Sequence, residues 1–223
     1  MTTVTAELLH LVVASLRPDA GAAERDRAVA LAGELAQAPG VVAVATARSE
    51  AVLIAATWIE ARDQLEAFAS APEHMRFVIE GVGRASSAIW STSIASAAAD
   101  SLGAGLPPPE ARTLWAFALP ADPPAFEWQV QDLLAGVAAL PADGGALAVY
   151  AGATVEEREQ FRAGGLVLAA DASASALAAR LDEARAGWGP LASRLVTACA
   201  PVVALNAGTG NAGTGNARAG SEP

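Results

Sequence analysis

The chain contains two histidines, His10 and His74, and these are the side chains best suited to move a proton near neutral pH. The pKa of an unperturbed imidazole, about 6.5, lets it act as a general base at that pH. A cofactor-free aldol closure or isomerisation needs such a base beside an acidic C–H, donors for the enolate oxygen, and a dry pocket. We therefore predict that His74 is a catalytic general base and that His10 is a second polar group of the same pocket.

Aromatic residues are the candidates for the walls of that pocket. The predicted substrate-binding residues are Phe68, Phe77, Trp58, Trp90 and Tyr150. A structural explanation stays open for each polar candidate. His74 could hydrogen-bond the backbone beside Pro72, His10 could be a satisfied core residue, and Tyr150 could place its hydroxyl at a sheet edge.

Missing residue types exclude several kinds of chemistry. All 14 basic residues are Arg, and without a Lys amine the chain can form neither an internal Schiff base nor a Walker A loop. The single Cys, Cys199, excludes an internal disulfide and a zinc site of several thiolates. Gly144-Gly145 and Gly164-Gly165 are interpreted as turns and match no phosphate-binding motif. We expect no cofactor and no metal.

The net charge and the hydropathy of the chain limit the classes of partner that it can bind. A net charge of −10 and a pI near 4.6 disfavour both nucleic acid and an anionic membrane surface. Mean hydropathy is +0.34, which excludes a wholly disordered chain. There is no apolar, uncharged run of about 18 residues, and no basic signal-peptide region at the start. The expected partner is a hydrophobic small molecule, and the expected location is the cytoplasm.

Apolar periodicity and turn residues divide the first half of the chain into elements that could hold these side chains. Strands are predicted at 8–17, 41–46, 51–59 and 86–95, and helices at 20–38, 62–69 and 73–84. The order β-α-β-β-α-β is typical of a ferredoxin-like unit, which we place at 1–96.

The second half follows the same order less clearly. A linker at 97–110, which holds three consecutive prolines, precedes a degenerate second ferredoxin-like unit at 111–204. Its strands are predicted at 113–119, 146–152, 165–170 and 194–203, and its helices at 126–140 and 173–186. Residues 205–223 are expected to form a disordered tail, because they lack the apolar content to pack.

The predicted strands are apolar on both faces, and this sets the expected architecture. In the first strand, Leu8 and Val12 point to one face while Leu9 and Leu11 point to the other. A half-exposed antiparallel sheet would alternate apolar and polar residues, so both faces must be covered here. We predict an α+β fold in which two units pack sheet to sheet as an intramolecular dimeric α/β barrel. A homodimer that covers the bare faces is the alternative.

Three short motifs give the first half a resemblance to the stress-responsive dimeric α/β-barrel (Dabb) family. His10 stands in Leu-Leu-His-Leu-Val-Val, Pro39-Gly40-Val41 follows 29 positions later, and residues 71–77 read Ala-Pro-Glu-His-Met-Arg-Phe. The resemblance covers about residues 7–95 and is to the olivetolic acid cyclase-type barrels of that family. Because residues 180–195 contain no His, the second unit resembles a degenerate copy in a tandem form.

The resemblance implies a polyketide cyclase-like lyase or isomerase that needs no cofactor, with His74 as the base and His10 in support. It also implies a monomer with an internal pseudo-dimer, or a homodimer, since members usually build their barrels from two subunits. Two alternatives stay open. One is a non-catalytic stress-associated or ligand-binding barrel, and the other is a haem protein with His74 as the axial ligand.

Overall fold

The fold is described from a computed structural model, which describes residues 6–95, 107–140, 146–155, 160–170 and 174–208. These ranges contain eight strands: β1 (Leu8–Leu16), β2 (Val41–Arg48), β3 (Val52–Ile59), β4 (Ser86–Ala95), β5 (Thr113–Pro120), β6 (Ala146–Ala153), β7 (Phe161–Ala169) and β8 (Val196–Ala207). The α-helices are α1 (Ala22–Glu34), α2 (Leu65–Ser70), α3 (Pro72–Arg76), α4 (Gly83–Ala85), α5 (Glu127–Ala138) and α6 (Ala174–Arg185). A π-helical stretch, Phe77–Val82, joins α3 to α4.

The strands form an antiparallel sheet in the order β4-β1-β3-β2-β8-β5-β7-β6. Strand β8 joins its two halves, because its first part pairs with β5 from Val196 to Pro201 and its last part pairs with β2 from Val202 to Ala207. The two outer strands also approach each other. Ile94 of β4 bridges Thr154, and the Val155 N–H donates to the Ser93 carbonyl over 2.9 Å. The sheet is therefore nearly closed into a barrel, and the protein is α+β.

Three apolar clusters cover both faces of the sheet. One fills the barrel interior and includes Leu9, Leu11 and Val13 of β1. A second lies between the outer face of β1–β4 and the helices of the first half, and a third lies between β5–β8 and α5 and α6. The expectation of two covered faces is confirmed, but the halves form one continuous sheet through β8 and not two sheets that only stack. None of the described helices has the length and apolar composition needed to cross a membrane.

Two predictions about loops and tails are wrong. Gly164 and Gly165 lie inside β7, which begins at Phe161, and do not form a turn. A side chain at Gly165 would collide with the Tyr150 carbonyl oxygen and the Phe117 ring, so only glycine fits between those strands. The tail was expected from residue 205, but β8 continues to Ala207 because β2 offers it an edge to pair with. Gly144-Gly145, most of the linker and the rest of the tail lie outside the described residues.

Substitution of Gly152 tests the closure between β4 and β6. A Cβ at this position would collide with the carbonyl oxygen of Ala95, so we expect Gly152→Ala to destabilise the protein. Overpacking of this kind costs about 1–3 kcal/mol, which urea denaturation measures as a lower midpoint. Gly187→Ala is the matched control, since a Cβ there would meet only the Ala184 carbonyl oxygen, at an ordinary contact distance of 3.5 Å. Equal midpoints for the two variants would contradict the approach of the two edges.

Candidate functional site

His10 lies in a short polar row on the outer face of the first half-sheet. In β1 it is paired with Thr57 of β3 and with Ser93 of β4. Directly opposed residues of antiparallel strands share a face, so the three side chains are neighbours. Most of the surrounding residues on this face are apolar, among them Leu8 and Val12, and Thr46 of β2 adds another buried hydroxyl. The His10 Nδ1 and the Ser93 Oγ form a hydrogen bond of 2.9 Å.

A break between α2 and α3 holds His74. Ala71 is extended (φ −64°, ψ 143°) and Pro72 occupies the first position of α3, where its lack of an N–H costs nothing. The carbonyls at the end of α2 lack helical partners, and one of them, that of Ala69, accepts a hydrogen bond from the His74 Nδ1 at 2.9 Å. Because a carbonyl can only accept, Nδ1 carries a proton, and Nε2 of the neutral ring holds the free lone pair.

Three rings meet where α2 and α3 cover the polar row. The centroid of the His74 ring lies 5.8 Å from that of His10 and 4.8 Å from that of Phe68. The His10 and Phe68 centroids are 5.4 Å apart with an interplanar angle of 64°. Phe68 is fully buried, whereas His74 is half-buried. The two histidines therefore share one site, with Phe68 as its apolar wall.

Burial keeps both imidazoles neutral at pH 7. Burial, together with a smaller effect of repulsion from His74 when that ring is protonated, lowers the pKa of His10 to about 3. Burial also lowers the pKa of His74 below 6.5, while the hydrogen bond to Ala69 opposes that shift by stabilising the protonated ring. His74 is thus the ring of the pair that accepts a proton more readily.

Two polar atoms of the row have no hydrogen-bond partner among the described residues. They are the Nε2 of His10 and the Oγ1 of Thr57, and both atoms are buried. A buried polar atom without a partner costs about 1–3 kcal/mol, and such atoms in native proteins usually bind water or a ligand. Thr57 and His10 lie side by side on neighbouring strands, so one small polar group could satisfy both.

A cleft of about 470 Å³ adjoins the site at the junction of the two halves of the chain. Ala69 and Val155 both line it. Ala69 holds His74 through its carbonyl, and the Val155 N–H donates to Ser93, whose hydroxyl contacts His10. At the rim, Arg62 donates to the Val155 carbonyl over 2.6 Å. The cleft wall therefore contacts His74 through Ala69 and is connected to His10 through Ser93, although neither imidazole itself lines the cleft.

The remaining predicted aromatic residues lie apart from this site, with one exception. Phe77 is buried in the same apolar cluster as Phe68. Trp58 and Tyr150 instead contact each other at 5.3 Å in the barrel interior, where burial raises the pKa of Tyr150 to about 12. Trp90 packs against the interior cluster and contacts Phe161 at 5.5 Å.

Both imidazoles lie on the helix-covered outer face of the sheet and not in the barrel interior that holds Trp58 and Tyr150. Side chains alternate along a strand, so the parity of β1 turns His10 away from Leu9 and Leu11 and towards the helices. Sequence reasoning also missed Ser93 and Thr57. The signal for Thr57 was a hydroxyl residue in an otherwise apolar strand, whereas Ser93 belongs to a run of hydroxyl residues in β4; only the strand register shows that both flank His10.

Solved structures with this fold span nearly the whole chain. An anthrone oxidase-like protein superposes with a TM-score of 0.61 at 12% identity, covering 93% of this chain and 96% of that chain. A proposed monooxygenase from Fusobacterium nucleatum subsp. nucleatum gives 0.55 at 13% identity, with the same coverages. A proposed chlorite dismutase gives 0.53 at 14% identity, covering 89% of this chain and 96% of that chain.

These likenesses establish a shared fold and nothing more at such identities. No protein-family model matches the chain, and no curated protein matches it. The Dabb resemblance therefore stays a prediction, as does haem binding through His74.

Magnetic resonance of the two imidazoles tests the electrostatics of the site. We expect the His10 ring to stay neutral from pH 8 to pH 5, because burial lowers its pKa to about 3, so its signals should show at most a small shift as the neighbouring His74 titrates. The His74 signals should titrate at a pH below 6.5. With two His in the chain, His74→Gln assigns both sets of signals. A His10 titration near pH 6.5 would refute the buried, neutral assignment.

The lowered pKa of His10 also makes the stability of the protein depend on pH. Above pH 6.5 His10 is neutral in both the unfolded and the folded chain, so its contribution to the free energy of unfolding is fully present. Between pH 6.5 and about 3 the unfolded chain binds a proton that the folded chain does not. The free energy of unfolding should therefore fall as the pH is lowered through this range.

Proposed function

We propose that the protein is a cofactor-independent enzyme of the cyclase or isomerase type, which acts on a hydrophobic aromatic or polyketide-like small molecule. The observation that carries this proposal is the His74 imidazole, whose Nδ1–H is held by the Ala69 carbonyl beside a second neutral imidazole. That arrangement leaves the His74 Nε2 lone pair as the general base. It would remove a proton from carbon next to a carbonyl group of the substrate.

The lowered pKa of His74 suits a base that must be free at pH 7 and must give the proton back. Its neutral form dominates near neutral pH. Once it is protonated, burial makes the imidazolium a stronger acid than an exposed one, so it can return the proton to another carbon or oxygen of the intermediate. Isomerisation and aldol ring closure both need this return step.

His10 and Thr57 are the proposed donors for the enolate oxygen. When the Ser93 hydroxyl donates to Nδ1 of His10, the neutral ring carries its proton on Nε2, the atom that has no partner. That N–H and the Thr57 hydroxyl could then both donate to one substrate oxygen. Donors held in a dry site stabilise such charge strongly, and the low pKa of His10 keeps it from competing for the substrate proton.

The cleft beside Ala69 and Val155 is the proposed entrance for the substrate. Leu65 and Val155 give it apolar walls that continue into the apolar cluster around Phe68. Arg62, Asp63 and Glu66 line it as well and keep its mouth in contact with water. An aromatic ring entered through this cleft would pack against Phe68.

The tandem architecture is part of the same proposal. The first four strands follow the order β4-β1-β3-β2 and the last four follow β8-β5-β7-β6, so each half has the strand order of a ferredoxin-like unit. This repetition supports two such units in one polypeptide, as the Dabb resemblance implies. The chain would then be a monomer with an internal pseudo-dimer.

Oxidation of an anthrone is a second candidate reaction, favoured by the fold shared with an anthrone oxidase-like protein. An anthrone carries an acidic CH₂ group opposite its carbonyl. Removal of one proton by His74 would give an electron-rich anion that reacts with dioxygen. The CH₂ group then becomes a second carbonyl, one oxygen atom is retained, and the other leaves as water with the two hydrogens. The same base would serve both candidate reactions.

Anthrone can also be used to test the proposed base. Exchange of its CH₂ hydrogens for deuterium can be measured separately from its oxidation. Under nitrogen in D₂O, we expect the protein to accelerate deuterium uptake at the CH₂ group, followed by NMR. In His74→Gln the kcat/KM for exchange should fall about 100-fold or more. Met75→Gln introduces the same side chain at an exposed neighbouring position and should retain activity. Equal exchange rates in both variants would eliminate His74 as the base and favour a passive binding barrel.

Thr57→Val tests the proposed donor against a purely structural role. The hydroxyl makes no hydrogen bond with the described residues, so its loss should leave stability unchanged or raise it by up to about 1 kcal/mol. The kcat/KM for exchange should nevertheless fall at least tenfold. Thr46→Val is the matched control. Thr46 is equally buried on the same sheet face, and its hydroxyl likewise has no hydrogen-bond partner in the described part of the chain, but it is opposed to Ala55, away from His10. If both variants keep full activity, Thr57 is not part of the site.

A further inference from the structure

The second half of the chain has a cavity of its own, far from the histidines in the fold. It measures about 590 Å³ and lies between α5, α6 and the outer face of β6 and β7. This volume is within the range of small-molecule sites, about 300–1,000 Å³. Leu140 of the segment after α5, Val167 of β7, and Leu177 and Leu181 of α6 line it, together with Trp188.

The strand register relates this cavity to the histidine site. His10 is the third residue of β1 and pairs with Thr57 and Ser93. Trp115 is the third residue of β5 and pairs with Val167 and Cys199. An apolar row thus occupies the place in the second half that the polar row occupies in the first.

Trp188 is held firmly as one wall of the cavity. Its ring centroid lies 6.0 Å from that of Trp115, at an interplanar angle of 64°. A Cβ at Gly136 of α5 would meet the Trp188 ring at 2.7 Å, so the helix and the indole are in close contact. Trp188 is only 5% exposed, so an occupant of the cavity would contact a small part of this fixed indole.

The residues that line this cavity favour an uncharged ligand. Arg180 and Glu183 are both exposed and of opposite sign. The other lining residues are Gly, Ala, Val, Leu and Trp. An ionised ligand would lose hydration without a buried partner of opposite charge, which is unfavourable.

We propose that this cavity is a binding site for an uncharged, apolar small molecule. The site binds its ligand without covalent chemistry, and it is independent of the reaction proposed at His74.

The uncharged fluorescent probe N-phenyl-1-naphthylamine tests the site by titration of the full chain. We expect saturable binding of one probe per chain. Ala184→Leu on α6 and Ala139→Leu after α5 fill the cavity from two sides and should each raise the Kd at least tenfold. Ala179→Leu, at an exposed position of α6 that does not line the cavity, should leave the Kd within twofold.

Two controls separate this proposal from the histidine proposal and from a failure of the variants to fold. His74→Gln should bind the probe as the parent chain does, so failure of the histidine proposal would leave this result intact. Circular dichroism checks that each variant folds, and Ala139→Leu decides the matter if Ala184→Leu does not fold, because Ala139 is exposed. Non-saturable fluorescence, or an unchanged Kd in the folded filling variants, would overturn the proposal.

Discussion

Strands that are apolar on both faces impose the constraint on which the rest of this structure depends. Every such strand leaves apolar area in water unless both of its faces are covered, at a cost of about 25 cal/mol for each Å². Helices cover one face, and the barrel interior covers the other. Strand β8 makes this possible, because its 12 residues are long enough to pair with β5 and then with β2. Eight strands can then enclose a common interior within one polypeptide.

The candidate site is an exception to that constraint, placed where the fold can tolerate it. His10, Thr57 and Ser93 put polar atoms into a face that is mostly apolar, and burial holds the imidazole of His10 neutral. A charged ring would be far more costly in that position. The break at Pro72 frees the Ala69 carbonyl, which fixes the tautomer of His74. Local helix geometry and sheet register together define the site, and neither is sufficient without the other.

Much of the fold could be predicted from the sequence, because apolar periodicity reports burial directly. The strand at Ser86–Ala95 and the convergence of the two histidines on one site are found as expected. The side of the sheet on which they meet could not be predicted, because it depends on which parity of β1 faces the helices. Gly165 resembles a turn residue in the sequence, but in the structure it lies in a strand where the Phe117 ring leaves no room for a side chain. Likewise, the end of β8 depends on the free edge of β2, a contact between distant parts of the chain.

The two halves use one backbone plan for different surroundings. Equivalent positions hold His10, Thr57 and Ser93 in one half and Trp115, Val167 and Cys199 in the other. The two rows face separate helical layers, and the common barrel interior lies between them. Substitutions in one outer layer can therefore accumulate without direct contact with the other. Such separation lets one half keep a polar row of side chains while the corresponding row of the other half is apolar, which two identical subunits of a homodimer could not do.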